Sequence, residues 1–264
     1  MATFGFIGTG NMGGALARAA AQVLPGEELL LSNRTASKAE ALAAALGCKA
    51  ASREETVKNS RFLFLGVKPQ GLGELLPQLA PMLPEDTVLV SMAAGVEMAQ
   101  VRKFVGRDCP VIRIMPNTPV SVGSGVILYD ATENVSAEDL EAFCYGMSKS
   151  GYLDRLPEAL MDAGTAVAGC GPAFVCLFME ALADQGVACG LPRDKALQYA
   201  ARMVEGTAKL LLETGSHPGL LKDGVCSPGG STIAGVRALE QKGFRGAAMS
   251  AVEAAYLRTK ELGK

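Results

Sequence analysis

The chain has 264 residues, and its hydrophobic fraction of 49% is enough for one large domain or two smaller ones. Its 25 basic and 27 acidic side chains give a net charge of -2, which argues against a nucleic-acid partner. A single histidine and seven cysteines without a C-x-x-C pair argue against a metal site and against most histidine-based triads.

Short apolar runs alternate with helical patterns in the first half of the chain. The runs predict strands at residues 4–7, 29–31, 62–67, 88–92 and 111–115. This alternation is typical of a parallel sheet with helices on both faces. A run at 126–129, a helical pattern at 137–149 and a run at 152–156 are candidates to extend the same sheet.

The second half of the chain predicts helices only. Strand patterns stop after Pro157, and helical patterns follow at residues 159–167, 172–189, 193–214, 232–241 and 244–262. The helix at 172–189 is apolar on nearly every side, so it needs more partner surface than one small domain offers. We therefore expect an all-α domain that forms an intimate homodimer.

A G-T-G-N-M-G stretch joins the first strand to the first helix. Gly8 permits a tight turn, Gly10 lets the backbone approach a pyrophosphate, and Gly13 lets helix and strand pack closely. The helix that begins around Asn11 and Met12 offers free amides to the phosphates. A purely structural turn is the alternative, but the position between a strand and a helix predicts a dinucleotide site.

The end of the second strand decides between NAD and NADP. Sites for NAD place a carboxylate about 20 residues after the glycine loop, whereas Asn33 stands here. Because no acid is present to repel a 2′-phosphate and Arg34 is available to pair with it, the stretch favours NADPH, with NADH possible. The alternative is that Arg34 is a solvated loop charge.

The fold class that follows is α/β, with a Rossmann-type doubly wound sheet over residues 1–157 and an all-α domain over 158–264. Ligands of such sheets bind beyond the carboxyl ends of the strands. Three loops at such ends are predicted to complete the cofactor site, and their assigned residues are Val67, Lys68, Pro69, Ala93, Ala94 and Asn117.

A stretch reading D-G-V-C-S-P-G-G-S-T precedes a helical pattern in the second half. Without a Cβ at Gly229 and Gly230, the amides there and at Ser231 and Thr232 can converge on a carboxylate. The alternative is that Ser231 or Thr232 merely caps the helix.

Six motifs in order resemble the pyrroline-5-carboxylate reductase family over essentially the whole chain. They read G-F-I-G-x-G-N-M-G, V-K-P, M-P-N-T-P, G-x-G-P-A-F, H-P-G-x-L-K-D and S-P-G-G-S-T. The resemblance implies a Rossmann domain, a helical dimerisation domain and the reduction of 1-pyrroline-5-carboxylate to proline with NADPH or NADH. It also implies that Ser227, Thr232 and the intervening amides hold the substrate carboxylate, with the Thr232 hydroxyl near the ring nitrogen as the catalytic contact.

The chain departs from the family pattern at one motif. Family members usually read S-G-S-G-P-A-Y where this chain has Ala168, Cys170 and Phe174, so three hydroxyl groups are lost. The sequence does not say what replaces them. It also leaves open the NADPH to NADH ratio, the association of dimers into a higher homo-oligomer, feedback by proline and the proton donor.

Two other functions are compatible with parts of the sequence. A related hydroxyacid or imine oxidoreductase would use a lysine of the helical domain, such as Lys195, Lys209 or Lys222, but it leaves the S-P-G-G-S-T motif unexplained. A non-catalytic NADP-binding sensor would not need the hydride pocket and the carboxylate motif. We expect His217 to have a structural role in its turn rather than to transfer a proton.

The predicted location is the cytoplasm. Met1-Ala2-Thr3 leads directly into a strand without a basic segment, and an odd number of cysteines fits a reducing compartment. The longest uncharged stretch, residues 163–179, is shorter than the roughly 20 apolar residues of a membrane helix. Glycines and Pro172 are expected to interrupt it, so no membrane partner is predicted.

Overall fold

The structure, a computed structural model, describes residues 3–262. Its strands form one eight-stranded sheet in the order β3-β2-β1-β4-β5-β6-β7-β8. The strands are β1 Phe4–Ile7, β2 Leu29–Ser32, β3 Lys49–Ala50, β4 Phe62–Leu65, β5 Val88–Ser91, β6 Val111–Pro116, β7 Gly125–Ala131 and β8 Gly151–Arg155. The helices are α1 Asn11–Ala20, α2 Ala36–Leu46, α3 Arg53–Lys58, α4 Pro69–Leu79, α5 Met98–Val105, α6 Ala137–Gly146, α7 Glu158–Gly164, α8 Gly171–Ala188, α9 Arg193–Thr214, α10 Pro218–Gly224, α11 Ser231–Gln241 and α12 Phe244–Leu262.

The central strands are buried on both faces, as their continuous apolar runs predict. In β4, Phe62 and Phe64 belong to one core cluster, whereas Leu63 and Leu65 belong to the cluster on the other face. The rings of Phe6 and Phe64 stack with their centroids 4.4 Å apart. This two-sided core holds the carboxyl ends of the parallel strands at one edge of the sheet.

The candidate strands near the end of the first half do extend the sheet, but one of them reverses direction. β7 is antiparallel to β6, while β8 is parallel to β7. Only residues 117–124 join β6 to β7, and they hold a short 3₁₀ turn, Thr118–Val122. A parallel connection needs a dozen or more residues, so this link forces the antiparallel pairing.

The chain divides into two compact units, Gly171–Ala254 and the remaining described residues. The last part of α12, after Ala254, therefore belongs to the same unit as the N-terminal residues. The sequence boundary at 157 stays a prediction. Within the helical unit, α8 packs along α9, and the rings of Phe178 and Phe244 lie 5.7 Å apart between centroids.

The helical run Glu158–Ala188 is longer than the sequence predicts. Glycines and Pro172 do not end it, because Thr165–Gly169 continues the run as a π turn and α8 follows with Pro172 in its first turn. This 31-residue run is long and apolar enough to cross a membrane by length and composition alone, and 11% of its most apolar window is buried. A helix that is covered by a second subunit has the same properties.

Candidate active site

The glycine loop after β1 and the residue that follows β4 leave no room for side chains at three positions, Gly8, Gly13 and Gly66. Gly8 has a φ of 92°, and its amide donates to the Ser32 carbonyl at 2.8 Å. A Cβ at Gly13 would lie 2.1 Å from the Gly8 carbonyl oxygen, and one at Gly66 would lie 2.2 Å from it. The loop, α1 and the end of β4 therefore meet through backbone alone, as expected of a dinucleotide fold.

Gly10 has a different surrounding. It is the N-cap of α1, no side chain caps the helix there, and nothing lies within 4 Å of the position that its Cβ would take. Asn11 and Met12 follow as the first helical residues, and the first turn holds no acidic side chain. The open amides at this end fit an anion such as a pyrophosphate.

A cavity of about 1080 Å³ extends from this loop along the carboxyl ends of β2, β3 and β4. It brings together half of the predicted cofactor residues, namely Gly8, Gly10, Asn33, Arg34, Val67 and Lys68. The others, Asn11, Met12, Pro69, Ala93, Ala94 and Asn117, do not line it. Their assignment to the cofactor stays a prediction.

Most other lining residues of this cavity are not predicted from the sequence, among them Gly66, Ser52, Arg53 and Gln78. Arg53 follows β3, a strand of two residues that is too short to give an alternating pattern. Gly66 could have been predicted as a lining residue, because it lies between the end of β4 and the V-K-P motif.

The charges on the cavity wall are mixed. Arg34, Lys68 and Arg53 contribute positive charge, while Glu40, Glu55 and Glu74 contribute carboxylates. The Glu55 carboxylate is paired with Lys49. Asn33 lines the cavity at the position where an NAD site places a carboxylate.

Asn117 is buried, and both ends of its amide already contact backbone. Its Nδ2 donates to the Ala168 carbonyl at 3.0 Å, and its Oδ1 accepts from the Val126 amide at 2.8 Å. The side chain thus ties the loop after β6 to the π turn Thr165–Gly169. The contact uses the backbone carbonyl of Ala168, so it does not depend on the hydroxyl that the family usually has at this position.

The S-P-G-G segment forms a turn directly before α11. The Gly230 amide donates to the Ser227 carbonyl at 3.0 Å, and Gly229 has a φ of 71°. Proline at the second position and a positive φ at the third are typical of a type II turn. A Cβ at Gly230 would lie 2.5 Å from Ser227 Oγ, so the serine hydroxyl lies against this glycine.

The turn leaves the start of α11 open. Gly230 is the N-cap, and no side chain bonds to the cap, so the alternative in which Ser231 or Thr232 caps the helix is wrong. Both residues are exposed and lie in the first turn of α11. The amides at this end are therefore available to an anion.

His217 has the structural role that the sequence predicts. It is the N-cap of α10, and its Nδ1 accepts from the Gly219 amide at 3.1 Å. The nearby Lys222 pairs with Asp223, and this hydrogen bond raises the pKa of the lysine. Within residues 3–262, no group of three or more His, Cys, Asp or Glu side chains is placed to hold a metal ion.

Two family models match the chain. The model for pyrroline-5-carboxylate reductase dimerisation covers residues 158–262, and the model for NADP oxidoreductase, coenzyme F420-dependent, covers residues 3–95. The pyrroline-5-carboxylate reductase of Escherichia coli is 39% identical over 264 residues, with 98% of each chain covered. That of Synechocystis is 46% identical over 211 residues, covering 80% of this chain and 78% of its own.

Solved structures give the same result. Plasmodium falciparum pyrroline carboxylate reductase with NADP bound matches with a TM-score of 0.91 at 31% identity, covering 100% of this chain and 98% of its own. The 1-pyrroline-5-carboxylate reductase of Streptococcus pyogenes matches with a TM-score of 0.89 at 31% identity, covering 98% of each chain. Full-length identity above 30% and the shared fold leave one conclusion: the chain belongs to the pyrroline-5-carboxylate reductase family.

Proposed function

We propose that the chain reduces 1-pyrroline-5-carboxylate to L-proline with a hydride from NADPH, or from NADH, as the last step of proline biosynthesis. The observation that carries this proposal is the open turn at Ser227–Gly230, which leaves the first amides of α11 free for a carboxylate. A hydroxyacid reductase that relies on a lysine gives this turn no role.

The first unit fits a dinucleotide. The uncapped start of α1 suits the pyrophosphate, and the absence of an acid at Asn33 permits a 2′-phosphate. When bound, the nicotinamide supplies the hydride that reduces the imine carbon. The chain itself contributes a glycine loop that lets the backbone approach the cofactor and a cavity wall with both charged and small side chains.

The substrate contacts are assigned to the turn and the first residues of α11. The carboxylate is held by Ser227, Gly229, Gly230 and Ser231. The Thr232 hydroxyl forms a hydrogen bond with the ring nitrogen. An iminium carbon is already electrophilic, so the site needs orientation more than a strong general acid. The structural role of His217 agrees with this mechanism.

We further propose that the protein works as a cytoplasmic homodimer without a membrane partner. The dimerisation model over residues 158–262 supports the dimer. So does α8, in which Ala183 is the single buried residue. A mass measurement in solution distinguishes the dimer from a higher homo-oligomer of dimers.

The first experiment follows NADPH oxidation with 1-pyrroline-5-carboxylate in the wild-type protein and in Thr232→Ala. Losing a hydrogen bond to a charged group costs about 10- to 100-fold in kcat/KM, and we expect a loss of this size. Thr207→Ala, which removes an exposed hydroxyl on α9, is the matched control and keeps its activity.

A second substrate tests the carboxylate site directly. Unsubstituted 1-pyrroline has the imine but no carboxylate, so its kcat/KM falls by about 100-fold or more relative to the natural substrate. Wild-type protein that is folded and binds NADPH but reduces neither imine contradicts the proposed reaction and favours the binding-only alternative.

A further inference from the structure

Two arginines follow neighbouring strands at the carboxyl edge of the sheet. Arg34 comes two residues after the end of β2, and Arg53 is the first residue of α3, shortly after β3. The two strands are parallel neighbours, with Leu30 beside Lys49 and Leu31 beside Ala50. Both arginines therefore follow neighbouring strands at the same edge of the sheet, and both line the same cavity.

Neither arginine is neutralised by a carboxylate. Among residues 3–262, Arg34 and Arg53 form no ion pair, and Arg53 makes one long contact, from its Nη1 to the neutral Gln78 Oε1 at 3.5 Å. The nearest acid of α3 that lines the cavity, Glu55, is paired with Lys49 instead. Two unpaired like charges at neighbouring strand ends repel each other unless an anion lies between them.

Both guanidinium groups belong to the wall of the cavity that starts at the glycine loop. The same wall carries Glu40 and Glu74, so the cavity as a whole is not strongly basic. An anion is therefore best held beside the two arginines that follow β2 and β3, and a dinucleotide fold places the adenosine ribose beyond β2.

We propose that Arg53 is a specificity-determining residue that, together with Arg34, clamps the 2′-phosphate of NADPH. This inference rests on the proposed function and goes beyond it by assigning the cofactor preference to a second residue. Two guanidinium groups offer planar pairs of donors to a dianionic phosphate, which an NADH ribose hydroxyl does not need.

The test compares Arg53→Gln with the wild-type protein by titration calorimetry, without any turnover. The probes are adenosine 2′,5′-bisphosphate, which carries the 2′-phosphate, and adenosine 5′-monophosphate, which lacks it. We expect the variant to bind the bisphosphate about 10- to 100-fold more weakly and the monophosphate within about threefold of wild type.

The matched control is Lys58→Gln. Lys58 lies on the same short helix as Arg53 and carries the same charge, but it pairs with Glu54 and lines a different cavity. Its removal leaves binding of both probes unchanged. Arg53→Lys separates charge from geometry, because it restores part of the bisphosphate affinity without the paired donors.

Kinetics give an independent readout. Arg53→Gln raises the KM for NADPH while the KM for NADH and the kcat with NADH stay near wild-type values. An equal loss for both probes, or no loss for either, would overturn the role of Arg53. Failure of the proposed reaction shows up separately, as absent imine reduction in a wild-type protein that still distinguishes the two probes.

Discussion

Gly13 and Gly10 of the first loop are needed for different physical reasons, and substitution by alanine distinguishes the two roles. A Cβ at Gly13 would meet the Gly8 carbonyl at 2.1 Å, whereas one at Gly10 would meet nothing within 4 Å. We expect Gly13→Ala to lower the free energy of unfolding by about 1–3 kcal/mol, as overpacking does. Chemical denaturation of the two variants measures the difference.

Gly10→Ala is the complementary prediction. Its backbone has a φ of -71°, which alanine adopts readily, so its stability stays within about 0.5 kcal/mol of wild type. Its methyl group projects toward the place of the pyrophosphate, and we expect cofactor affinity to fall about tenfold or more. A Gly10→Ala protein that binds NADPH normally would contradict the assignment of this loop to the phosphates.

Tyr129 gives the protein a predicted sensitivity to alkali. Burial raises the pKa of this phenol to about 12, above its ordinary value of 10.0. The folded state therefore holds the proton more tightly than the unfolded chain, and stability is lost as the pH rises from 10 toward 12. Tyr129→Phe removes this part of the loss, whereas Tyr152→Phe, at an exposed position, leaves it. Denaturant titrations across this pH range check both variants.

A single residue can be assigned to a site from the sequence when it lies next to a strand or turn that the sequence pattern itself reveals. Arg34 is predicted because it follows a recognisable strand, and Thr232 because glycines mark the turn before a helix, whereas Ser227 is assigned through the family resemblance. Arg53 is missed because it follows β3, and a strand of two residues shows no periodic pattern from which its position could be predicted. The partners of the Asn117 amide are missed because a single sequence does not show that the loop after β6 meets the π turn.

At the scale of elements, the turn before α11 depends on a positive φ at Gly229. Alanine there has room for its methyl group but pays about 1–2 kcal/mol for the left-handed conformation. We expect Gly229→Ala to raise the KM for the imine more than the KM for NADPH, because the distorted turn no longer presents its amides. Gly235→Ala, within α11 and without a positive φ, is the control. Equal changes in both KM values would argue against a carboxylate site at this turn.

The π turn Thr165–Gly169 accepts a hydrogen bond from the Asn117 side chain, and the loss of this bond is testable. Asn117→Asp replaces the donor to the Ala168 carbonyl with a carboxylate oxygen, which costs about 1–3 kcal/mol at a buried position. Protonation restores a donor, so the destabilisation relative to wild type is smaller at acidic pH than at neutral pH. Equilibrium unfolding at the two pH values measures it, and a pH-independent difference would refute the hydrogen-bond explanation.

The elements that the sequence predicts are those with long periodic patterns. The bounds of α9 and α12 agree with the helical patterns at 193–214 and 244–262. The reversal of β7 is not visible in its pattern, since a strand pattern shows burial but not direction. The short α10 is missed because its first residue is a proline within the H-P-G turn motif.

At the scale of the whole molecule, the helical unit lacks a core of its own. Between Gly171 and Ala254, the described hydrophobic side chains that are buried are Ala183, Ala196 and Ala200, all of them small. Three alanines bury too little apolar surface to offset the entropy of ordering five helices. The all-round apolar character of α8 already predicts this need for a partner from the sequence.

The last prediction therefore concerns α8. Leu177 is 68% exposed in the single chain, and a lysine there places a charge in the surface that the second subunit is proposed to cover. We expect Leu177→Lys to sediment as a monomer and to unfold at lower temperature. The control is Tyr145→Lys. This residue of α6 is 62% exposed, and the variant stays dimeric.

The dependence of the unfolding temperature on protein concentration distinguishes a dimer from a membrane-bound helix as the explanation of the apolar run Glu158–Ala188. The unfolding temperature of a dimer rises with protein concentration, because association stabilises only the folded state. A wild-type protein that is monomeric at micromolar concentration and partitions into lipid vesicles would instead indicate a membrane-bound helix at Glu158–Ala188. A wild-type dimer that stays in the aqueous phase, together with a monomeric Leu177→Lys, identifies the second copy of the chain as what covers α8.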